Sequence, residues 1–174
     1  MNESAISLVI PCYRDEVCLA ALLASLRKLP SATPANLQII VVDAASNPVC
    51  RELCQQFAAQ WLAAAPCRGE QLRLGAAQAT QPLLWFLHAD AQLEGDPLPA
   101  IRAVLGTAGA VAGYFVFRFA GAGCWQSRLI ERLTNWRTRF GIPYGDQGLF
   151  VRADAYHNAG QHSPWQLFEE VELV

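Results

Sequence analysis

Charge is what this sequence has little of. Asp, Glu, Lys and Arg make up 16% of its 174 residues and hydrophobic residues 53%, whereas soluble domains usually carry about 25% charged residues. Some apolar surface is therefore expected to meet a partner, a membrane face or a further segment. A basic excess is also absent. The formal net charge of -2 gives no global attraction to nucleic acid, whose binders usually present a basic face. A bilayer-spanning run is missing too: the longest uncharged stretch of high hydropathy, Ala103 to Phe117, is interrupted by Gly106, Gly109 and Gly113 and falls short of the roughly 20 residues a spanning helix needs. Met1-Asn2-Glu3-Ser4 carries no basic n-region or small-residue cleavage site, so no export signal is expected. The six cysteines include no Cys-x-x-Cys pair, and a disulfide between Cys50 and Cys54 on one helix face would be strained. Reduced thiols and a cytoplasmic location are the expectation. The length suits one domain over residues 1–174. Because the chain stops at Val174, just after Glu169-Glu170-Val171-Glu172, a truncation or a natural short form is expected.

What is present is an alternation of strand and helix patterns. Ile6 to Pro11 is a short apolar run closed by proline, and Leu19, Leu22, Leu23 and Leu26 follow at the spacing of one helical face. Pro30 and Pro34 break the chain before Leu37 to Val42, a buried strand ending at Asp43, and Val49, Leu53 and Phe57 mark a second helix. A small strand near Trp61 to Ala65 and a helix-compatible stretch from Gln71 to Thr80 lead to Leu83-Leu84-Trp85-Phe86-Leu87 and then His88-Ala89-Asp90. In the later half, Val111 to Phe119 reads as a strand, Trp125 to Phe140 as a helix and Gln147 to Val151 as a strand. The order implies an α/β fold with a largely parallel sheet covered by helices on both faces. Ligands of such sheets sit beyond the carboxyl ends of the strands.

Polar side chains recur at those ends: Tyr13, Arg14, Asp15 and Glu16 after the first strand, Asp43 and Ser46 after the second, His88 and Asp90 after the fourth. Each has a bland alternative. Asp15 can cap the first helix, Asp43 or Ser46 the second, and a lone histidine is commonly structural. It is their joint occurrence at successive strand ends that points to a site.

Val9-Ile10-Pro11-Cys12-Tyr13-Arg14-Asp15-Glu16, Ile40-Val41-Val42-Asp43-Ala44-Ala45-Ser46 and Phe86-Leu87-His88-Ala89-Asp90 resemble, in order and spacing, three nucleotide-binding signatures of family-2 glycosyltransferases. Tyr144-Gly145-Asp146-Gln147-Gly148-Leu149-Phe150 and Phe168-Glu169-Glu170-Val171-Glu172-Leu173 are similar to a bacterial branch of that family often encoded beside radical-enzyme and selenium-related genes. The resemblance covers nearly the whole chain and implies the glycosyltransferase A-type fold and a nucleoside-diphosphate sugar as donor.

It also implies roles. Pro11, Tyr13 and Asp15 would line the nucleoside pocket and Asp43 would hydrogen-bond the base. Asp90 matches the last carboxylate of the family's Asp-x-Asp motif and would hold a divalent metal, Mn or Mg, since hard cations join one or two carboxylates to phosphate oxygens and water. His88 stands where the first Asp of that motif is expected. It would bind the metal or orient the ribose or phosphate. Arg68 would meet the diphosphate, with a solvated surface arginine as the alternative. Glu170 matches the Asp that serves as general base in relatives performing inverting transfer, and its extra methylene shifts the carboxylate where about 1 Å matters. Asp146 is the next catalytic candidate. The helix Trp125 to Phe140 carries Arg128, Arg132 and Arg139 beside an aromatic face, which suits core packing or, as a basic amphipathic helix, contact with lipid or a lipid-linked acceptor at the inner membrane face. Two rival readings stay open: a family member that binds nucleotide with weak or no transfer, and a nucleotidyltransferase. The second normally needs a glycine-rich loop after the first strand, and Pro11 to Glu16 contains no glycine.

Overall fold

The computed structural model of the protein describes residues 4–116 and 147–163. In chain order the elements are β1 (Ile6–Cys12), α1 (Glu16–Leu26), β2 (Leu37–Asp43), α2 (Pro48–Gln56), β3 (Gln60–Ala63), α3 (Arg68–Ala77), β4 (Leu83–Phe86), α4 (Leu98–Gly106), β5 (Ala112–Gly113), β6 (Phe150–Arg152) and α5 (Ala153–Asn158). The strands form one sheet in the order β3-β2-β1-β4-β6-β5. Neighbours from β3 to β4 pair in parallel, while β6 runs antiparallel to both β4 and β5.

The two-residue period of the strands separates two cores. Ile6, Leu8, Ile10 and Cys12 of β1, with Val41, Leu83 and Trp85, face α1, α2 and α4. Val9, Ile40, Val42, Leu84 and Phe86 face α3 and α5. This is the layered α/β arrangement expected from the alternation of elements. Against α3 the approach is very close: a Cβ on Gly75 would lie 2.3 Å from Val9 Cγ1 and 3.2 Å from Val42 Cγ2.

The second half departs from the sequence reading. The extended segment expected from Val111 to Phe119 is a strand only at Ala112–Gly113 among the described residues, flanked by backbone bonds from Arg152 N–H to the Val111 carbonyl and from Phe115 N–H to the Gln147 carbonyl, and the strand expected at Gln147–Val151 is Phe150–Arg152. Helix α4 was concealed by uncharged composition: Leu98, Ile101 and Leu105 are its buried face, but no charged opposite face contrasts with it. The short α5 buries only Tyr156, too little for a periodic signal. The expected helix Trp125 to Phe140 lies outside the described residues. No described helix is long and apolar enough to cross a membrane.

Candidate functional site

The site begins with connectivity. The chain passes from β1 to β2 and β3 on one side, then returns to place β4 on the other side of β1. Crevices at such reversal points, beyond the carboxyl ends of the strands, are where open α/β sheets take ligands. Here the crevice is opened by Pro11. The β1–β4 register ends at Val9 and Phe86, Leu87 donates the next bond to the Val9 carbonyl at 3.1 Å, and Pro11, having no N–H, cannot continue the ladder.

A cleft at this place is lined by Pro11, Cys12, Tyr13, Asp15, Arg68, Gln71, His88, Ala89 and Asp90. Three segments far apart in sequence thus converge: the end of β1, the first turn of α3 and the residues after β4. Of the residues singled out from sequence, Pro11, Tyr13, Asp15, Arg68, His88 and Asp90 come together. Asp43 does not enter the cleft, and Asp146 and Glu170 lie outside the described residues.

Beyond β1 the chain turns at Arg14, whose φ of 59° is unusual for a residue other than glycine. The Arg14 guanidinium stacks over the Tyr13 ring at 5.2 Å, and Tyr13 remains 49% exposed, a flat aromatic face at the lip. Asp15 occupies the N-cap position of α1, yet its side chain makes no capping bond. Its carboxylate is therefore left at the cleft. The cap of α2 belongs to Asn47, whose side chain accepts from Val49 N–H at 3.0 Å, and not to Asp43 or Ser46.

Asp43 is fully buried. Its carboxylate accepts from the N–H groups of Ala45 at 2.8 Å and Asn47 at 2.7 Å and from Trp61 Nε1 at 3.3 Å. The side chain of Asn47 in turn donates to Glu16 Oε1 at 2.6 Å. A carboxylate at the end of β2 thereby shapes the 44–47 loop and, through Asn47, ties it to the corner that carries Tyr13 and Asp15.

Cys12 and Gln71 line the cleft but were not selected from sequence. Cys12 is buried, and its neighbour Cys50 together with burial pushes the thiol up, so it is a neutral wall and not a thiolate nucleophile. Gln71 sits on the buried face of α3 with Leu72, Gly75 and Ala76. A glutamine on an apolar helix face needs partners, and that was the available signal.

Asp90 is exposed, and its carboxylate makes no hydrogen bond or ion pair with any described residue. No group of three or more His, Cys, Asp or Glu poised to hold a metal occurs among the described residues. A divalent cation that takes one or two protein carboxylates and completes its shell from phosphate and water is compatible with Asp90 so placed, with Asp15 and His88 lining the same cleft.

Residues 7–161 match the profile of the glycosyl transferase family 2. No curated protein sequence matches significantly. Solved structures do. S. aureus TarS aligns with a TM-score of 0.72 at 15% identity, over 95% of this chain and 32% of that one. The mannosyltransferase PcManGT from Pyrobaculum calidifontis, in complex with GDP-Man and Mn²⁺, gives 0.72 at 13%, over 96% and 49%. Residues 1–349 of S. aureus TarS in complex with UDP-GlcNAc give 0.68 at 15%, over 96% and 53%. The chain spans from about a third to about half the length of these proteins, and identities this low speak for the fold alone.

Proposed function

From the premise that this chain belongs to glycosyl transferase family 2 and has the glycosyltransferase A-type fold, we propose that it transfers a sugar from a nucleoside diphosphate to an acceptor hydroxyl. The observation that carries this reading is the convergence of two carboxylates, an arginine and a histidine with an exposed aromatic face at the β1/β4 switch point.

In this reading Pro11, Tyr13 and Asp15 bound the nucleoside and Arg68 turns its charge toward the diphosphate. Asp90, with His88 lining the same cleft, would hold Mn²⁺ or Mg²⁺, which when bound would supply charge neutralisation to the departing diphosphate. PcManGT, with GDP-Man and Mn²⁺, and TarS, with UDP-GlcNAc, support a nucleotide-sugar donor for this fold. Glu170 removes the acceptor proton as the new bond forms between the acceptor oxygen and the sugar's anomeric carbon. The bond from that carbon to the diphosphate breaks and its electron pair leaves with the diphosphate, inverting the centre. Asp146 is the second candidate for the base. The described cysteines are all free thiols, in keeping with a reducing compartment such as the cytoplasm, and Arg128, Arg132 and Arg139 are the reason to include lipid-linked acceptors in the assay.

The test is a panel of UDP- and GDP-sugars with Mn²⁺, read by donor consumption and product formation. Donor-dependent glycosylation that falls about 10²- to 10⁴-fold in Glu170→Gln, with donor affinity unchanged, is the expected result. Binding without transfer in wild type supports the nucleotide-binding reading instead, and full turnover in Glu170→Gln moves the base assignment to Asp146.

A further inference from the structure

Gln71 is 4% exposed, yet it belongs to the lining of the cleft. Its Nε2 lies 2.7 Å from the Val42 carbonyl oxygen and 3.1 Å from that of Cys12. These two carbonyls belong to adjacent parallel strands just at their carboxyl ends. The amide nitrogen thus clamps β1 to β2 directly beneath the cleft.

This clamp fixes what the side chain can offer a ligand. A primary amide has two donor hydrogens and one acceptor oxygen. Both hydrogens are used by backbone carbonyls. A flip of the amide would set its oxygen against two carbonyl oxygens, so the network assigns the orientation uniquely. What remains for the cleft is Oε1, a neutral acceptor. Its position is not adjustable, because Gly75, one turn later on the same face, presses the helix against Val9 and Val42. Asp43, the acceptor that sequence placed at the base, is buried behind this layer with three donors of its own.

We infer that Gln71 is a specificity-determining residue of the donor cleft, a rigid neutral acceptor that selects a nucleoside carrying a hydrogen-bond donor at that point. The inference rests on the donor-site reading above. The matching chemistry is an uncharged N–H or O–H: the ring imide or lactam N–H of uracil or guanine, or a ribose hydroxyl. A site that presents a buried acceptor rejects an analogue lacking the donor, because the acceptor is then desolvated without a partner. A carboxylate at the same place would instead compete for the cation and repel the diphosphate.

The experiment is a ligand–protein cycle by titration calorimetry with Mn²⁺. Wild type and Gln71→Met, which keeps the length and loses the acceptor, are titrated with UDP and GDP. Each is also titrated with the 2′-deoxy, 3′-deoxy and ring-N-methylated analogues of the better binder. In wild type one analogue is expected to bind at least about 10-fold more weakly than its parent, and the analogue that fails identifies base or ribose as the source. In Gln71→Met that difference is expected to vanish. A purely structural clamp would weaken every ligand alike and leave the discrimination as it was, and this outcome overturns the inference. So do wild-type affinities within twofold for all analogues. Should Gln71→Met fail to fold, Gln71→Leu takes its place with the same reading: the difference between parent and analogue is expected to vanish, and a difference that persists overturns the inference as well. If wild type binds neither UDP nor GDP, the donor-site reading itself fails, a result distinct from binding without discrimination.

Discussion

Gly75 and Val9 meet so closely that a Cβ on the glycine would lie 2.3 Å from Val9 Cγ1. This contact sets the distance between α3 and the sheet, and with it the reach of Gln71 and Arg68 to the cleft. Gly75→Ala gains about 1 kcal/mol of helix propensity, but overpacking against two β-branched side chains costs about 1–3 kcal/mol. A net loss of about 1 kcal/mol, with weaker nucleoside diphosphate binding, is expected in denaturant titrations and calorimetry. A variant as stable as wild type with unchanged affinity would show that the helix can withdraw without consequence.

Asp43→Asn tests whether that carboxylate acts within the chain. Its amide NH₂ would oppose an N–H group of Ala45 or Asn47, and hydrogen bonds to a charged acceptor contribute about 1.5–3 kcal/mol each. A stability loss of about 2–3 kcal/mol without ligand is expected. Wild-type stability combined with lost nucleotide binding would return Asp43 to direct contact with the base.

His162 predicts an acid-labile contact. Its Nδ1 lies 2.9 Å from the Tyr156 hydroxyl, its ring stands edge-on to Phe86, and burial pushes the imidazole down to about 3 from its ordinary 6.5. The folded state therefore keeps the ring neutral while the unfolded chain takes up a proton. This contribution is fully present above about pH 6.5 and is lost as pH falls toward 3, amounting to about 2 kcal/mol by pH 5. His162→Phe should lose less stability than wild type between pH 7 and pH 5 in denaturant melts. Parallel losses would mean that the histidine is hydrated.

The first half of the fold was legible because hydrophobic runs, proline breaks and polar strand ends coincide. Ile6 to Pro11 and Leu37 to Asp43 are β1 and β2, and the residues that follow β1 and β4 do converge. What escaped was whatever depends on a partner distant in sequence. Gln71 is silent until α3 docks on the ends of two strands, and the bond that Asp43 accepts from Trp61 Nε1 shows only once β3 lies beside β2. Asn47 was hidden for a local reason: it caps Val49 only two residues on, but Asp43 and Ser46 are equally good capping types. In α4 a nearly uncharged composition removed the polar face that would have revealed the helix.

The most direct measurement is a calorimetric titration of wild type and Asp90→Asn with UDP and GDP, each with Mn²⁺ and with a chelator. Asp154→Asn, an exposed α5 residue that does not line the cleft, serves as control. An amide oxygen lacks the charge that holds a hard cation, so binding should require Mn²⁺ in wild type and in Asp154→Asn and should fall at least about 10-fold in Asp90→Asn. Equal affinities with Mn²⁺ and chelator, or an Asp90→Asn variant that binds as wild type does, would contradict a metal-assisted nucleotide-sugar site at the β1/β4 cleft.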